Sequence, residues 1–356
     1  MTDGPTSPAS STLKRVLQGL LSTAVVVGIF AFVFPRIASY EDVWGTIRAM
    51  TVLEAGILFV VGFWNLVTYW FVLTAVLPGL RLGQAAISNQ ASTAVSNTMP
   101  GGGILGVGVT FAMYRSWGFT TADFARATVV SGIWNNYVKL GMPIVALALL
   151  ALSGDAGAAE IISAIVGLGV LFGAIVILWL MVRSEGMARK LGDLGARVLS
   201  RLRRLIRKPP IEGGGDSAVD FFRRTGELLK ARWLRLTVST LVSHISLYIV
   251  LLVALRNVGV SEDEIGWIKI LAAYAFVRLI SAIPITPGGL GVVELGVTAA
   301  LSIGADEALD AQIVAAVLLF RFITFVLPIP LGAASYVFWR RNKSWRKKPV
   351  DAPFAT

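Results

Sequence analysis

The sequence predicts an all-α polytopic membrane protein of about eight transmembrane helices, with two Pro/Gly-broken re-entrant elements in a duplicated arrangement. Composition is the first reason, because 55% of the 356 residues are hydrophobic and 15% are charged. A soluble domain carries about 25% charged residues. The second reason is a series of apolar runs long enough to cross a bilayer. The third is a proline–glycine pattern that occurs in two of the apolar stretches.

The apolar runs give the predicted order of elements. Residues 1–12 are rich in Pro, Ser and Thr and are predicted to form a disordered tail. Transmembrane segments are expected at 16–34, 52–77, 129–152, 161–182, 236–255, 267–283 and 312–338. Pro328 and Pro330 should break the last of these segments, because proline cannot donate a helical hydrogen bond.

The transmembrane domain is expected to cover residues 13–340. It divides into a first half at 13–182, a basic connection at 183–235 and a second half at 236–340, followed by a basic tail at 341–356.

Basic residues predict the orientation of the chain in its membrane. The connection at 183–235 holds fourteen Lys and Arg against six Asp and Glu. Cytoplasmic loops carry an excess of Lys and Arg, so we expect both termini and this connection on the cytoplasmic side of the inner (plasma) membrane. The connection either forms an amphipathic helix on anionic lipid or acts only as a topology signal. A net charge of +11 would suggest nucleic acid for a soluble protein, but its position in membrane-flanking loops predicts no nucleic-acid partner.

The duplicated pattern aligns two short segments in the two halves of the chain. Thr98-Met99-Pro100-Gly101-Gly102 corresponds to Ile285-Thr286-Pro287-Gly288-Gly289. Proline removes a backbone donor and glycine relaxes the limits on φ, so a helix should stop near Ile283 and another should begin near Gly291. Paired interruptions of this kind point to a binding site in transporters, and a pair of simple helix kinks is the alternative. We expect residues 85–117 and 284–303 to be discontinuous or re-entrant and to meet near the bilayer centre.

Ionisable side chains within apolar sequence are the candidate functional residues. A charge at membrane depth costs about 2.5–3.5 kcal/mol and therefore usually faces a cavity or a partner. Glu294 is expected to pair with Arg278 or Arg321. Such a pair either holds the broken helices in register or balances a cavity for an anionic headgroup. His244 is expected to hydrogen-bond across helices, and Asn135 and Lys139 share one helix face.

The glycine runs add a second set of candidate groups. Helices that start after Gly103 and Gly289 would present free backbone N–H groups to an anion. Hydroxyls at Ser96, Thr98 and Thr286 would extend the polar path. The complete set of expected substrate-binding residues is Pro100, Gly101, Gly102, Gly103, Lys139, Arg278, Thr286, Pro287, Gly288, Gly289, Gly291, Glu294 and Arg321.

Missing residue types limit the chemistry that the chain can perform. The sequence has no cysteine and a single histidine, which excludes thiolate nucleophiles, cysteine-ligated metals and histidine clusters. Nucleophile–base pairs are not evident either. We therefore expect no catalytic residues, no metal and no cofactor, and we expect that the protein is not an enzyme.

The two glycine motifs resemble the flippase-like transmembrane region of bacterial lysylphosphatidylglycerol synthases. The resemblance is carried by PITPGGLGVVE at 284–294, Arg278, PGGG at 100–103 and Arg321 within LLFRF, and it covers roughly residues 15–340. It implies a flippase-like transmembrane domain, and the family includes stand-alone membrane proteins without the synthase domain. Many relatives continue the first motif with arginine and aspartate, where this chain has Gly102 and Gly103.

Three functions remain open on these observations. The first is translocation of a phospholipid or lipid-linked headgroup, with anionic membrane lipids as partners. The second is a non-transporting membrane subunit that supports a glycosyltransferase or an envelope-biosynthesis enzyme. The third, an intramembrane enzyme, has the least support because nucleophile, base and metal patterns are missing. The first two differ in whether the polar residues line a lipid-accessible groove or are fully paired inside the protein.

Overall fold

The computed structural model describes residues 39–99, 102–154, 157–205, 209, 213–281 and 286–347. The expected N-terminal tail and first transmembrane segment lie outside the described residues, as do Pro100, Gly101 and positions 348–356 of the basic tail. The helices of the described part are α1 Tyr40–Ala49, α2 Val52–Val76, α3 Leu82–Thr98, α4 Gly102–Ser116, α5 Thr121–Leu152, α6 Ala158–Arg183, α7 Glu185–Leu205, α8 Gly214–Asn257, α9 Trp267–Ile280, α10 Val292–Leu301, α11 Glu307–Arg321 and α12 Pro328–Arg341.

Five helical segments of the described part are long and apolar enough to cross a membrane. They are Val52–Val76, Thr121–Leu152, Ile161–Leu180, Gly214–Asn257 and Glu307–Arg341. The prediction of an all-α protein with several membrane-spanning helices is therefore confirmed. The segment expected at 267–283 differs, because α9 ends at Ile280 after 14 residues. Its length of about 21 Å is shorter than the hydrocarbon core of about 30 Å.

Helix α8 joins the basic connection to the second half of the chain. It runs for 44 residues from Gly214 to Asn257, so the boundary expected after residue 235 falls inside a continuous helix. At about 66 Å, α8 is roughly twice as long as the hydrocarbon core is thick. Helix α7 is amphipathic and packs against the first turns of α8, where Arg189 forms an ion pair with Asp216.

Helices α3 and α4 form a hairpin whose two open ends lie together. A Cβ atom on Gly83 would lie 3.4 Å from the Trp345 ring, and the Lys347 backbone N–H donates to Ser116 O at 2.9 Å. From this end α3 runs antiparallel to α12. The tip of the hairpin reaches the middle of the Glu307–Arg341 segment, where Asn97 Nδ2 donates to Phe325 O at 3.1 Å.

Helices α9 and α10 form a second hairpin that enters from the opposite end. The loop before α9 contacts α11 near its start, since a Cβ atom on Gly259 would lie 3.0 Å from Gln312 Nε2. The two helices then run antiparallel with Val277 against Gly296. The tip reaches Arg321, which donates from Nη2 to Gly288 O at 3.0 Å. The two interrupted elements therefore meet, as the repeated motif predicted, at the middle of the Glu307–Arg341 segment.

This middle region is itself irregular. A π-helical turn, Phe322–Val326, separates α11 from α12, and Pro328 lies at the first turn of α12. The interruption predicted at Pro328 and Pro330 is thus a π-helical turn just before the prolines, within one continuous helical segment. The turn places the carbonyl of Phe325 within reach of Asn97, and this hydrogen bond connects the first hairpin to the irregular turn.

Candidate functional site

The two hairpin tips share one backbone hydrogen bond at aligned positions of the duplicated motif. The Gly102 N–H donates to Met99 O at 2.8 Å, and the Gly289 N–H donates to Thr286 O at 3.1 Å. Met99 aligns with Thr286 and Gly102 with Gly289, so the first and fourth residues of each aligned segment are joined by the same hydrogen bond. The aligned glycines differ in backbone conformation, since Gly289 has a φ of 69° and Gly102 lies within α4.

Glycine has a different purpose at each tip. Gly288, Gly289 and Gly291 have φ values of 58°, 69° and 79°, a region that other residues rarely adopt. These three residues turn the chain before α10 begins at Val292, close to the predicted start near Gly291. Gly102 instead lies within α4, where a Cβ atom would overlap Ser96 O, so its small size allows α4 to pack closely against α3.

A buried ion pair locks the second tip. Arg321 Nε donates to Glu294 Oε1 at 2.8 Å, and Glu294 Oε2 accepts from the Gly291 N–H at 2.8 Å. The Arg321 guanidinium also lies 4.6 Å from the centre of the Phe325 ring. The Glu294 side chain is 1% exposed and that of Arg321 is 12% exposed. The predicted pairing of Glu294 with a base is confirmed, and its partner in the structure is Arg321.

Arg278, the other predicted partner, faces a small polar cavity beside this pair. The cavity has a volume of about 150 Å³, and its polar lining residues are Asn65, Tyr274, Arg278, Arg321 and Thr324. The buried Nε of Arg278 has no hydrogen-bond partner among the described residues. Two guanidinium groups therefore line the cavity, and the one carboxylate paired with them, that of Glu294 on Arg321, leaves the local balance of charge positive.

Backbone N–H groups at the tips are less available than the sequence suggested. Those of Gly102, Gly289 and Gly291 donate to Met99 O, Thr286 O and Glu294 Oε2. The prediction of free N–H groups at the helix starts is wrong for these three residues, because each N–H donates a hydrogen bond to an acceptor of the turn or to the Glu294 carboxylate.

The three predicted hydroxyls also donate within the protein. Ser96 Oγ donates to Gly102 O at 3.2 Å, Thr98 Oγ1 to Ala94 O at 2.7 Å and Thr286 Oγ1 to Leu290 O at 2.7 Å. They offer a ligand only acceptor lone pairs. An anion at this site would therefore depend on the arginines.

A polar layer next to the cavity connects α2, α5 and α8. Asn135 Nδ2 donates to Tyr69 OH at 3.3 Å, and Asn135 Oδ1 lies 3.0 Å from His244 Nε2. The prediction that His244 hydrogen-bonds across helices is confirmed. Lys139, one turn along α5, is half-buried and lies close enough to Arg278 to interact electrostatically. It does not line the cavity, so its predicted contact with a substrate stays a prediction.

Sequence reasoning missed three residues of the cavity wall, namely Asn65, Tyr274 and Thr324. Each is a polar residue flanked by apolar neighbours and has no counterpart in the glycine motifs. Asn65 is held in place by Ser246, to which its Nδ2 donates at 2.8 Å. Isolated amides and hydroxyls in transmembrane segments were the available signal, because such groups usually face a partner or a cavity.

Comparison with protein families matches residues 17–332 to the family described as the lysylphosphatidylglycerol synthase TM region. The chain belongs to this family. The match contains both hairpins, the Glu294–Arg321 pair and the residues that line the polar cavity. The resemblance read from the two glycine motifs is therefore confirmed. A search of curated proteins found no significant match.

Proposed function

We propose that this member of the lysylphosphatidylglycerol synthase transmembrane family translocates a phospholipid or lipid-linked headgroup between the leaflets of the bacterial inner membrane. The observation that carries the proposal is the polar cavity beside the second hairpin, lined by Arg278 and Arg321. The proposal includes about eight transmembrane helices, cytoplasmic termini and no catalytic chemistry.

The arrangement of the hairpins supports a re-entrant geometry. Each hairpin has its open end at one end of the Glu307–Arg341 segment and its tip at the middle. In a bilayer the tips would lie near the centre of a hydrocarbon core about 30 Å thick. Non-helical backbone at this depth is tolerated where it is buried in protein or lines a cavity. Two opposed hairpins of this kind would give a headgroup polar surroundings at the depth where hydration is lost.

The charges around the cavity suggest how an anion would be received. Arg278 has a buried Nε without a protein partner, so a phosphate oxygen would satisfy this donor. Arg321 is held by Glu294 and would be shared between that carboxylate and the incoming phosphate. The cavity, at about 150 Å³, has room for several water molecules or a compact headgroup. The acyl chains would remain in the surrounding lipid.

A second candidate function is a non-transporting subunit that supports an envelope-biosynthesis enzyme. The observation in its favour is the complete internal pairing of Glu294, whose two carboxylate oxygens both accept hydrogen bonds from the protein. A purely structural pair of this kind needs no substrate. The unpartnered Nε of Arg278 favours transport over this alternative.

Transport is tested with purified protein in vesicles that contain fluorescent phospholipids. A membrane-impermeant reagent bleaches the fluorescent headgroups of the outer leaflet. Lipids that move from the inner to the outer leaflet are then bleached as well, so the total fluorescence falls further. We expect the protein to accelerate movement of an anionic phospholipid. Arg278→Gln should reduce this rate about tenfold or more, which corresponds to about 1.4 kcal/mol. The yield of folded protein should not fall, since the change removes an unsatisfied buried donor.

Lys269→Gln provides the matched control. Lys269 lies on the same helix, is exposed and is remote from the cavity lining, so its replacement removes the same charge without touching the site. The proposal is contradicted if vesicles with wild-type protein bleach to the same extent as protein-free vesicles for a panel of anionic and zwitterionic lipids. That result would favour the structural subunit. If wild type and Arg278→Gln move the lipid between leaflets at equal rates, the lipid headgroup does not pass through the polar cavity.

A further inference from the structure

A second and much larger cavity lies outside the site described above. It is a groove of about 1320 Å³ between α5, α6 and α8. Its walls are mostly apolar and include Trp134, Met142, Leu171, Ile175, Leu241 and Ile245. Helix α6 packs closely on α5, with Gly167 against Ile144, and leaves the space toward α8 open.

One end of the groove combines positive charge with exposed indole rings. Arg183 and Lys230 line it from α6 and α8, and both are exposed. Neither forms an ion pair within the described residues, whereas the acid at this end, Glu227, lies 3.4 Å from Arg223. Trp179 packs beneath Arg183, with the guanidinium carbon 4.7 Å from the ring centre. This end therefore offers two uncompensated cations at the place where α6 ends and α7 begins.

The dimensions of the groove fit a lipid better than a water-soluble ligand. Lys230 and Tyr248 line it on α8 and are separated by about 27 Å along the helix axis. This distance is close to the hydrocarbon thickness of about 30 Å. Tyr248 and Trp267 line the far end, so aromatic residues lie at both ends, as they do at membrane interfaces. A water-soluble ligand would leave the apolar wall between these ends uncovered.

We propose that this groove binds one anionic phospholipid, with its headgroup at Arg183 and Lys230 and its acyl chains along α5, α6 and α8. The site is distinct from the polar cavity, from which it is separated by the packed rings of Tyr248 and Tyr274, whose centres lie 5.8 Å apart. It does not depend on transport. The groove should select this lipid over zwitterionic lipids by the charge of its headgroup, because both kinds of lipid have the same acyl chains.

The test is native mass spectrometry of the full-length protein, titrated with phosphatidylglycerol in a detergent that preserves lipid binding. We expect one lipid to bind before the others saturate. Arg183→Gln combined with Lys230→Gln should weaken this first binding step about 25-fold, since each cation near a membrane surface contributes roughly a factor of five. Lys190→Gln combined with Arg201→Gln is the matched control. It removes two exposed charges from α7 and should leave the first binding step unchanged.

A second pair of variants tests the apolar wall. Gly141→Phe projects a ring into the groove, where Gly141 lies beside Leu171, and should lower first-site occupancy at least severalfold. Gly169→Phe adds the same ring on the exposed surface of α6, where a Cβ atom meets no neighbour within 4 Å, and should have no effect. The proposal is overturned if the double charge variant binds the first phosphatidylglycerol as tightly as wild type. Equal first-site affinity for phosphatidylcholine would also overturn it. Because the experiment measures lipid binding, its outcome does not depend on whether the protein transports lipid.

Discussion

The two hairpin tips share a backbone hydrogen bond and differ in what stabilises them. Both close with a hydrogen bond between the first and fourth residues of the turn, at Met99–Gly102 and Thr286–Gly289. The first tip is followed by a helix that has no charged residue before Arg115, fits against α3 through Gly102 and carries Ile104 on its exposed surface. The second is followed by a helix whose buried Glu294 binds Arg321. The duplicated motif therefore specifies a turn, and the residues after it decide whether the turn carries charge.

This difference assigns different roles to the hairpins. Close packing of small residues stabilises the first hairpin, whose tip carries no charged side chain. The second hairpin contributes Glu294 to the ion pair and, on α9, places Arg278 beside the polar cavity. In the proposed function, the second hairpin is therefore the one that recognises the charge of an anionic headgroup.

Removing the carboxylate of the second tip should have the largest effect. Glu294→Ala leaves Arg321 as an unpaired, mostly buried charge and also removes the acceptor of the Gly291 N–H. Loss of one member of a buried pair costs about 3–5 kcal/mol. We expect a marked fall in the yield and the thermal stability of the protein in detergent, measured by fluorescence-detected size exclusion.

A double variant shows whether the pair causes this loss. Glu294→Ala combined with Arg321→Met removes both charges and should recover a substantial part of the stability. If the double variant is as unstable as the sum of the single variants, the two side chains act independently and the second tip is not held by its ion pair.

An intermediate effect is expected at the packed glycine of the first tip. Gly102→Ala places a methyl group against Ser96 O, and overpacking of this kind typically costs about 1–3 kcal/mol. Gly103→Ala is the neighbouring control, because a Cβ atom there meets no neighbour within 4 Å. A thermal melt of the two variants should show a lower midpoint for Gly102→Ala alone. Similar melts would mean that the α3–α4 contact is not close enough to need glycine.

The smallest effect is expected where the first tip contacts the irregular turn. Asn97→Ala removes the hydrogen bond to Phe325 O, and such bonds between transmembrane helices average about 0.6 kcal/mol. The thermal midpoint should fall slightly. Asn136→Ala on α5, where the side chain is exposed, should not change it. A loss as large as that of Glu294→Ala would show that the two hairpins depend equally on polar contacts at their tips.

Local chemistry made much of this site predictable, since proline and glycine act on the residues beside them. The breaks at both motifs and the restart near Gly291 depend on φ limits and missing donors, which can be read directly from the sequence. The choice between Arg278 and Arg321 depends on how α9 and α11 pack, which no local pattern encodes. The turn hydrogen bonds also remained hidden, because a glycine run does not reveal which N–H groups it will use internally.

The contrast between local sequence effects and helix packing also explains the other differences between prediction and structure. The length of α8 was missed because the basic residues before Arg235 were assigned to a connection separate from the transmembrane segment that starts at 236, although α7 supports them as part of one helix. Asn65 comes from α2 and meets Tyr274 and Arg278 of α9 only in the folded bundle.

The order of the helices in the chain has a consequence for biosynthesis. Both hairpins dock on the Glu307–Arg341 segment, which follows them and leaves the ribosome after them. Helix α10 has 10 residues and contains Glu294, so until Arg321 arrives this carboxylate has no countercharge on its docking surface. We therefore expect the second hairpin to dock only when α11 has been synthesised, and the first hairpin only when α12 follows. A nascent chain stalled before residue 307 would hold both hairpins without their support and should be a substrate for membrane quality-control proteases.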